Sequence, residues 1–267
     1  MSFRSPWLQR YCADELAWEY DYRHNKLAAG ELEWYLKYAR ITGGPILELA
    51  CGTGRLLLPI AQAGYRIHGL DLSGAMLRLL KLKLGGLDPD VRRRIRLYRG
   101  DMLRFAPPIR YSLAILAYNS LQELETIADH ALCFKNAHSC LRAGGYFMLM
   151  VARFNRDRYG DGKDYVVDWF DAPAVDAERG ISVGSRIISH LDAERRRIVL
   201  RETFVVRRTD RGEKRVELLH YIPLLPASEY RLMLENAGFA VRSYSGYEEQ
   251  PEDGRSHTLC FVARKGG

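Results

Sequence analysis

The stretch E-L-A-C-G-T-G-R at positions 48–55 decides how the rest of the chain is interpreted. An apolar run at 45–50 predicts a buried strand in front of its glycines, and residues 55–63 predict a helix behind them. Glycines let the backbone turn tightly and approach a ligand, and the start of a helix offers free N–H groups to an anion. An ordinary glycine-rich turn would contain the same letters, so the surroundings of the string decide its meaning.

Strands and helices alternate along the chain around this stretch. Apolar runs predict five strands, separated by segments with helical spacing, at 45–50, 65–70, 94–98, 112–117 and 146–152. Helical spacing predicts helices at 7–40 and 123–141, Ser73 is expected to cap the helix after the second strand, and R-A-G-G at 142–145 is expected to form a turn. This alternation predicts a parallel sheet with helices on both faces, because right-handed crossovers place them there. Ligands of such sheets bind beyond the carboxyl ends of the strands.

The pattern changes after Phe154. Residues 156–180 are polar and rich in turn residues, and the following segments alternate with period two, which predicts three or four antiparallel strands. A helix from Pro226 to Asn236 and two further strands would complete a seven-stranded, mostly parallel sheet of the α/β class. We therefore expect an N-terminal helical cap at 1–42, an α/β core at 43–155 and 223–267, and an antiparallel β insert after strand 5 at 156–222.

Two acidic residues stand where a ligand containing adenosine would need them. Asp71 ends the second strand, 19 residues after Gly52, where a carboxylate can accept hydrogen bonds from ribose hydroxyls. Asp101 follows the third strand, where a carboxylate can accept from the exocyclic amine of adenine. Each alone is compatible with a helix cap or a turn. Together with the glycine stretch, the two acids favour a nucleotide-like ligand.

The glycine spacing distinguishes between kinds of ligand. A dinucleotide-binding loop would place a third glycine at position 57, which is Leu57, and a phosphate-binding loop would need G-K-S or G-K-T. The pattern instead resembles motif I of the class I S-adenosylmethionine-dependent methyltransferases, E/D-x-G-x-G-x-G. Its positions are occupied here by Glu48, Ala50, Gly52 and Gly54. Ala50 replaces the first glycine of the motif, and we expect the turn to absorb that change.

The resemblance extends over nearly the whole chain. The sequence is similar to the bacterial small-molecule methyltransferases of the methyltransferase-domain group, and in architecture to sugar-amine N-methyltransferases, which implies a Rossmann-like fold. The matching pieces are Y-D-Y (20–22), G-G-P-I-L-E-L-A-C-G-T-G-R-L-L-L-P (43–59), G-L-D-L-S-G-A-M-L (69–77), G-D-M (100–102), A-Y-N-S-L-Q-E-L (117–124), L-R-A-G-G (141–145) and L-E-N-A-G-F (234–239). These pieces are specific for cofactor and fold but not for the substrate.

The resemblance implies S-adenosylmethionine as cofactor, S-adenosylhomocysteine as product, and a set of binding residues. The residues expected to line the cofactor are Tyr20, Tyr22, Glu48, Ala50, Gly52, Gly54, Asp71, Leu72, Met76, Asp101, Met102, Tyr118 and Asn119. Of these, Tyr118 and Asn119 should lie beside the sulfonium. Tyr20 and Tyr22 would close the site, although tyrosines on an amphipathic helix are as typical of core packing.

No general base is evident from the sequence. Methyl transfer is an in-line displacement that depends on alignment, and a base is needed only for an acceptor that arrives protonated. The catalytic residues are therefore left unassigned, with Asn119, His220 and Tyr221 as candidates; isolated polar residues on strands are more often surface or packing residues. We expect the insert to cover the acceptor pocket, with Trp169, Arg201, His220 and Tyr221 as candidate lining.

Two alternative functions stand beside methylation of a small molecule. The 267 residues include 40 basic and 33 acidic ones, a net charge of +7, and this balance raises the possibility of RNA methylation. The residues after the fourth strand are A-Y-N-S rather than an N-P-P-Y-like motif, so a small-molecule acceptor is expected and a nucleic acid is not. The other alternative is a catalytically silent module that binds S-adenosylmethionine.

Cysteine usage and hydropathy limit the other partners. Five cysteines without C-x-x-C spacing indicate neither a zinc site nor a disulfide framework, and no metal is expected. No apolar run is long enough to cross a bilayer, and the first residues lack the apolar segment of a secretory signal. We therefore expect a cytoplasmic monomer or homodimer with no membrane partner.

Overall fold

The computed structural model describes residues 13–153, 163–252 and 256–267. Contacts between residues divide the chain into two compact units. We call them the core unit, residues 26–154 and 225–267, and the insert unit, residues 1–25 and 155–224.

The described residues form twelve strands and seven α-helices. The strands are β1 (Ile46–Leu49), β2 (Ile67–Asp71), β3 (Ile95–Arg99), β4 (Tyr111–Leu116), β5 (Leu141–Ala152), β6 (Tyr165–Asp168), β7 (Ala174–Asp176), β8 (Ile181–Asp192), β9 (Arg197–Arg208), β10 (Gly212–Pro223), β11 (Phe239–Ser245) and β12 (Thr258–Lys265). The helices are α1 (Asp14–His24), α2 (Glu31–Thr42), α3 (Leu57–Gln62), α4 (Gly74–Gly85), α5 (Pro89–Arg93), α6 (Ile127–Cys140) and α7 (Ala227–Asn236), with a 3₁₀ turn at Ser120–Glu123.

The core unit contains a seven-stranded sheet in the order β11-β12-β5-β4-β1-β2-β3. Strands β1 to β5 are parallel, whereas β12 is antiparallel to β5 and to β11. The prediction of a mostly parallel, Rossmann-like sheet is therefore confirmed. The strand order reverses at β1, which lies between β4 and β2, and such reversal points are where ligands of α/β sheets bind.

Helices cover both faces of the core sheet, as its sequence requires. Strands β1 and β4 are buried at every position, because apolar side chains from both faces need cover. Trp34 of α2 and Leu57 of α3 belong to the apolar cluster on one face. Phe134 of α6 and Tyr230 of α7 belong to the cluster on the other.

The fifth strand begins earlier than predicted. The sequence R-A-G-G at 142–145 was expected to form a turn before a strand at 146, but β5 starts at Leu141. The pairing of β5 with β4 shifts register across these four residues, so they form an irregularity inside the strand. Gly144 accommodates it with a φ of +71°, which a residue with a side chain adopts only at a cost.

The helix after β4 is also shorter than predicted. A helix from 123 to 141 was expected, but the 3₁₀ turn ends first and α6 begins only after Thr126. The Thr126 side chain caps α6 by accepting a hydrogen bond from the Asp129 backbone N–H, with a 3.0 Å distance between the two heavy atoms. This threonine cap is the local signal that places the start of the helix.

The insert unit contains an antiparallel sheet in the order β10-β9-β8-β6, with β7 also paired to β8. The predicted antiparallel insert is therefore confirmed. Strands β6 and β7 lie within residues 156–180, a segment for which the sequence predicted no strand because it is polar and rich in turn residues. Residues 154–162 are outside the described part of the chain.

The N-terminal segment is divided between the two units. Helix α1 groups with the insert unit, where Leu16 packs in one apolar cluster with Val183 and Phe204. Helix α2 groups with the core unit. The described part of the expected cap, residues 13–42, thus contains two helices with different packing partners, and residues 1–12 lie outside the described residues. The functional roles of these segments stay a prediction.

Candidate functional site

The glycine stretch forms the turn between β1 and α3 in the core unit. Gly52 and Gly54 have φ values of +54° and +86°, which explains why these positions are glycine. A Cβ atom on Gly54 would lie 2.5 Å from Leu80 Cδ1, so this glycine also permits close packing of the turn against α4. The positive φ values of its glycines and the close approach to Leu80 therefore fix the shape of this turn.

Ala50 takes the place of the first glycine of the motif and adopts the conformation that a glycine would favour. Its φ is +54°, in the left-handed region. For a residue with a side chain, this conformation costs about 1 kcal/mol. The turn absorbs the replacement, as expected, at the expense of local strain.

Asp71 connects the turns that follow β1 and β2. Its Oδ2 accepts a hydrogen bond from the Gly52 backbone N–H, and its Oδ1 accepts one from the Ser73 backbone N–H, both at 2.7 Å. Burial raises the pKa of this carboxyl to about 6, although both N–H groups act in the opposite direction. Each oxygen retains a lone pair for a further donor.

Glu48 is the most deeply buried acid of the predicted cofactor set. The residue is 4% exposed, and its Oε2 has no hydrogen-bond partner among the described residues. Burial raises the pKa of Glu48 to about 8; the charges of Glu31 and Asp71 add to the effect, and Arg55 opposes it. A buried acceptor of this kind is stabilised by any ligand that brings a hydrogen-bond donor or a positive charge.

Asp101 and Met102 follow β3 and are held by local contacts. The Asp101 Oδ1 accepts from the Leu103 backbone N–H at 2.8 Å. The carbonyl of Met102 accepts from Asn136 Nδ2 at 2.8 Å, which ties this turn to α6. The backbone of the predicted adenine segment is thus fixed from both sides.

Leu72 and Met76 lie on either side of the cap of α4. Ser73 caps this helix, as predicted, and its Oγ accepts from the Met76 backbone N–H at 3.1 Å. Met76 is buried, and the Leu72 carbonyl accepts a long hydrogen bond of 3.4 Å from Arg99 Nε.

Tyr118 and Asn119 follow β4 in a strained backbone conformation. Their φ values are +52° and +63°, two consecutive left-handed residues that are not glycine. Such conformations cost about 1–3 kcal/mol each and are concentrated at functional sites. The Asn119 Oδ1 is buried and has no hydrogen-bond partner among the described residues. Because β1 and β4 are parallel neighbours, this segment leaves the sheet beside the glycine turn.

Tyr20, Tyr22 and Trp169 lie in the insert unit. The Tyr20 ring is 4.9 Å from the ring of His24, and His24 is 6.4 Å from the ring of Trp169. The Trp169 ring also lies 4.5 Å from the guanidinium carbon of Arg23. Tyr22 is exposed. The assignment of both tyrosines to the cofactor stays a prediction.

The strand register separates the other acceptor candidates. His220 pairs with Leu200, while Tyr221 pairs with Val199, one residue along β9. Neighbouring residues of a strand point to opposite faces, so His220 lies on one face of the insert sheet. Arg201 and Tyr221 lie on the other. The three residues therefore do not line one pocket on a single face.

The face with His220 contains a group of buried polar residues. Glu202 and His220 are 1% and 0% exposed, and the register puts Ser185 on the same face. The Ser185 Oγ donates to Glu19 Oε1 of α1 at 3.0 Å. Glu19 Oε2 is buried without a hydrogen-bond partner among the described residues. This face, which we call the buried polar face, combines two carboxylates, an imidazole and a hydroxyl.

Three residues of these networks were not predicted from the sequence. Glu31 of α2 accepts hydrogen bonds from both terminal nitrogens of Arg55 at 2.7 Å. Asn136 donates a hydrogen bond to the Met102 carbonyl. Arg55 directly follows the last glycine of the motif, so its position in the sequence could have identified it as a candidate. For Glu31 and Asn136 there is no local signal, because their partners are distant in the chain.

The described residues contain neither a cluster suited to a metal ion nor a helix suited to a membrane. In residues 13–153, 163–252 and 256–267, no group of three or more His, Cys, Asp or Glu side chains is arranged to hold a metal ion. Over the same ranges, no helix has the length and apolar character needed to span a membrane.

Comparison with known proteins identifies the class of the core unit. Residues 47–147, which run from β1 into β5, match a family model described as a methyltransferase domain. The chain is an S-adenosylmethionine-dependent methyltransferase. The predicted enzyme class and cofactor are confirmed.

This methyltransferase is similar to named proteins over most of its length. Bacillus subtilis (strain 168) YqeM, provisionally named a methyltransferase, is 25% identical over 225 residues, covering 83% of this chain and 84% of YqeM. The dTDP-3-amino-3,6-dideoxy-alpha-D-glucopyranose N,N-dimethyltransferase of Streptomyces fradiae is 26% identical over 208 residues, 75% of this chain and 72% of that enzyme. The crystal structure of a Clostridium acetobutylicum ATCC 824 S-adenosylmethionine-dependent methyltransferase has a TM-score of 0.74 at 17% identity, covering 96% and 100% of the two chains, and shares the fold.

Proposed function

We propose that this methyltransferase transfers a methyl group to the amino nitrogen of a small-molecule acceptor, with the cofactor bound at the carboxyl edge of the core sheet. The observation that carries the proposal is the pair of buried, unpartnered acceptor oxygens, Glu48 Oε2 and Asn119 Oδ1, among the described residues. Glu48 lies in β1 and Asn119 follows β4, and these two strands are neighbours at the point where the strand order reverses. The ammonium and sulfonium of S-adenosylmethionine would supply the missing donor and positive charge, so the residues fit this cofactor.

The assignment of the adenosine half rests on the two aspartates. Asp71 and Asp101 keep lone pairs for ribose hydroxyls and for the adenine amine beyond the backbone hydrogen bonds that they already accept. Leu72, Met76 and Met102 would supply apolar contacts to the adenine ring. The glycine turn, with Ala50, would lie against the methionine half.

The residues of the core unit would orient the reaction rather than perform acid–base chemistry. When bound, S-adenosylmethionine supplies a methyl group on a positively charged sulfur, which is a good leaving group. The Glu48 carboxylate would hold the amino-acid end, and the rigid Tyr118–Asn119 segment would fix the position of the sulfur. Such alignment accounts for a large share of catalysis in displacement reactions.

The buried polar face supports an amine as the acceptor. An ammonium group must lose its proton before its nitrogen can attack, and a buried imidazole such as His220 can accept that proton. The carboxylate of Glu202 would favour a cationic group over a neutral hydroxyl, whereas that of Glu19 is already paired with Arg23. The Streptomyces fradiae relative, whose name describes N,N-dimethylation of an amino sugar, is in line with this choice.

A matched acceptor panel tests the proposal. Nucleotide-linked amino sugars and their hydroxyl counterparts would be incubated with S-adenosylmethionine, and S-adenosylhomocysteine formation would be measured. We expect transfer to amines only. His220→Ala should reduce transfer at least tenfold, whereas Tyr221→Phe, on the opposite face, should change it less than twofold. Transfer to the hydroxyl compounds, or equal effects of the two substitutions, would refute the assignment.

RNA is a poorer fit as an acceptor, because the basic residues of the insert unit are largely paired with acids. Arg207 contacts Glu213, and Arg215 contacts Glu217, both at 2.9 Å. Binding of tRNA at physiological salt would contradict this conclusion. S-adenosylhomocysteine binding without turnover on any acceptor would instead support the silent-module alternative.

A further inference from the structure

Arg55 and Glu31 form a closed ion pair inside the core unit. The two terminal nitrogens of Arg55 donate to the two carboxylate oxygens of Glu31, each at 2.7 Å. Glu31 is completely buried, and the Arg55 side chain is 8% exposed. This paired geometry fixes the plane of the guanidinium, which a lysine would not do.

Backbone contacts fix the position of this pair relative to α2. Glu31 is the first residue of α2, and its Oε2 also accepts from the backbone N–H of Ala28 at 2.9 Å. Arg55 is the residue that follows the glycine turn. The ion pair therefore holds the end of this turn against the beginning of α2.

The guanidinium also donates a long hydrogen bond of 3.4 Å to the Lys26 carbonyl, and it lies against the aromatic ring of Tyr118. The Arg55 guanidinium carbon lies 4.2 Å from the ring centroid, which is cation–π geometry. Tyr118 and Asn119 are the two consecutive left-handed residues after β4. A strained segment keeps its conformation only when its surroundings hold it, and the contact with Arg55 supplies such a hold.

The contact joins the two loops that border the expected amino-acid half of the cofactor. Strands β1 and β4 run parallel with Leu49 opposite Leu116, so the glycine turn and the Tyr118 segment leave the same edge of the sheet. Arg55 extends from the first loop to the second. Any shift of its side chain would change the distance between the two loops.

We propose that Arg55, fixed by Glu31, is a positioning residue that holds Tyr118 and Asn119 in place for the amino-acid half of the cofactor. This inference rests on the proposed cofactor site. Arg55 acts through Tyr118, because Glu31 fixes the plane of its guanidinium and that guanidinium lies against the Tyr118 ring. The role concerns the amino-acid half alone, because the adenosine residues Asp71 and Asp101 lie at or just after the ends of other strands, β2 and β3.

Two ligands separate this role from a purely structural one. S-adenosylhomocysteine contains the amino-acid half, and 5′-methylthioadenosine lacks most of it. Their dissociation constants would be measured by isothermal titration calorimetry. Tyr118→Leu, which leaves the ion pair intact, should weaken S-adenosylhomocysteine binding at least tenfold and change 5′-methylthioadenosine binding less than twofold.

A double substitution tests the ion pair itself. Glu31→Gln with Arg55→Met removes both charges together, so no unpaired charge stays buried, and Gln can still accept from Ala28. We expect the same selective loss as in Tyr118→Leu, and partial recovery in Arg55→Lys, which retains Glu31. The matched control removes the exposed pair Glu33–Arg40 of the same helix with the same substitutions, and should leave both affinities unchanged.

The outcomes distinguish this inference from the proposed function. If the wild-type protein bound neither ligand, the proposed cofactor site would fail and this inference with it. If the wild-type protein bound both ligands and the variants lost affinity for the two by equal factors, only the positioning role would be overturned. The same conclusion would follow if the variants lost affinity for neither ligand. A selective loss of S-adenosylhomocysteine affinity in both variants supports it.

Discussion

The core unit and the insert unit place their polar residues in different ways. In the core unit, Glu48 lies at the end of a strand, and Asp71 and Asn119 lie at or just beyond strand ends, beside backbone with positive φ. In the insert unit, Glu202 and His220 lie within long strands and are buried on one face of a sheet. A site built on loops depends on residue order along the chain, whereas a site on a sheet face depends on register between strands.

This difference explains why the two sites are not equally visible in a sequence. The spacing from Glu48 to Gly54 is contained within one turn, so a short string describes it. The grouping of Ser185, Glu202 and His220 requires the pairings of β8 with β9 and of β9 with β10. Substitutions in both units can test whether the contrast also holds for stability and binding.

The largest expected effect is that of breaking the buried ion pair of the core unit. Glu31→Ala leaves Arg55 without its partner, and the loss of one member of a buried pair destabilises a protein by about 3–5 kcal/mol. In the insert unit, Glu217→Ala removes an exposed partner of Arg215 and should change stability by less than about 1 kcal/mol. Urea unfolding followed by circular dichroism measures both. Similar losses in the two variants would contradict the contrast.

The second prediction compares one glycine from each unit. Gly54 and Gly180 both have positive φ, and a Cβ atom on either would lie within 2.5 Å of a neighbouring side chain. Substitution by Ala should therefore cost about 2–3 kcal/mol at both positions. Only Gly54→Ala should also weaken S-adenosylhomocysteine binding, by at least tenfold, because only this glycine lies in the predicted cofactor turn. Calorimetric titration of the folded variants provides the measurement, and unchanged binding by Gly54→Ala would argue against the site.

The third prediction concerns pH and the burial of Glu48. Its pKa is raised by burial to about 8 from 4.5, so between these values the folded state keeps a proton that the unfolded state releases. The free energy of unfolding should therefore fall as pH rises from 5 to 8, by up to about 1.4 kcal/mol per pH unit from this group. Glu48→Gln should flatten that dependence, whereas Glu213→Gln, exposed in the insert unit, should leave it as it is. Unfolding curves at several pH values decide the matter, and identical slopes for all three proteins would refute the assignment.

The smallest expected effect is a gain in stability at strained turns. Ala50 of the core unit and Arg196 of the insert unit have φ values of +54° and +48°. Glycine relieves such strain, and Ala50→Gly and Arg196→Gly should each stabilise the protein by about 0.5–1 kcal/mol. Thermal unfolding measures the gain. A loss of stability at position 50 would mean that the side chain of Ala50 makes contacts that outweigh the strain.

Prediction from sequence succeeded where the signals are local. The apolar runs before Ala50 and Asp71 gave their strands, and Ser73 caps α4 as expected. It failed at β5, because the irregularity at 142–145 resembles a turn in its glycine content. The candidate acceptor lining named Arg201, His220 and Tyr221 together, and only the strand register shows that His220 lies on the opposite face from the other two.

The sequence by itself determined the class of the fold and the kind of cofactor, because a strand, a glycine turn and a helix are contiguous and their spacing is preserved in the chain. Only the tertiary structure decided which distant groups meet. Glu31 and Arg55 are 24 positions apart, and the contact of Arg55 with Tyr118 spans a further 63. The contact of Arg55 with Tyr118 depends on the pairing of β1 with β4, and that of Arg55 with Glu31 on the packing of α2, neither of which a local pattern specifies. The same holds for the buried polar face, where strand register brings Ser185, Glu202 and His220 together and the packing of α1 adds Glu19.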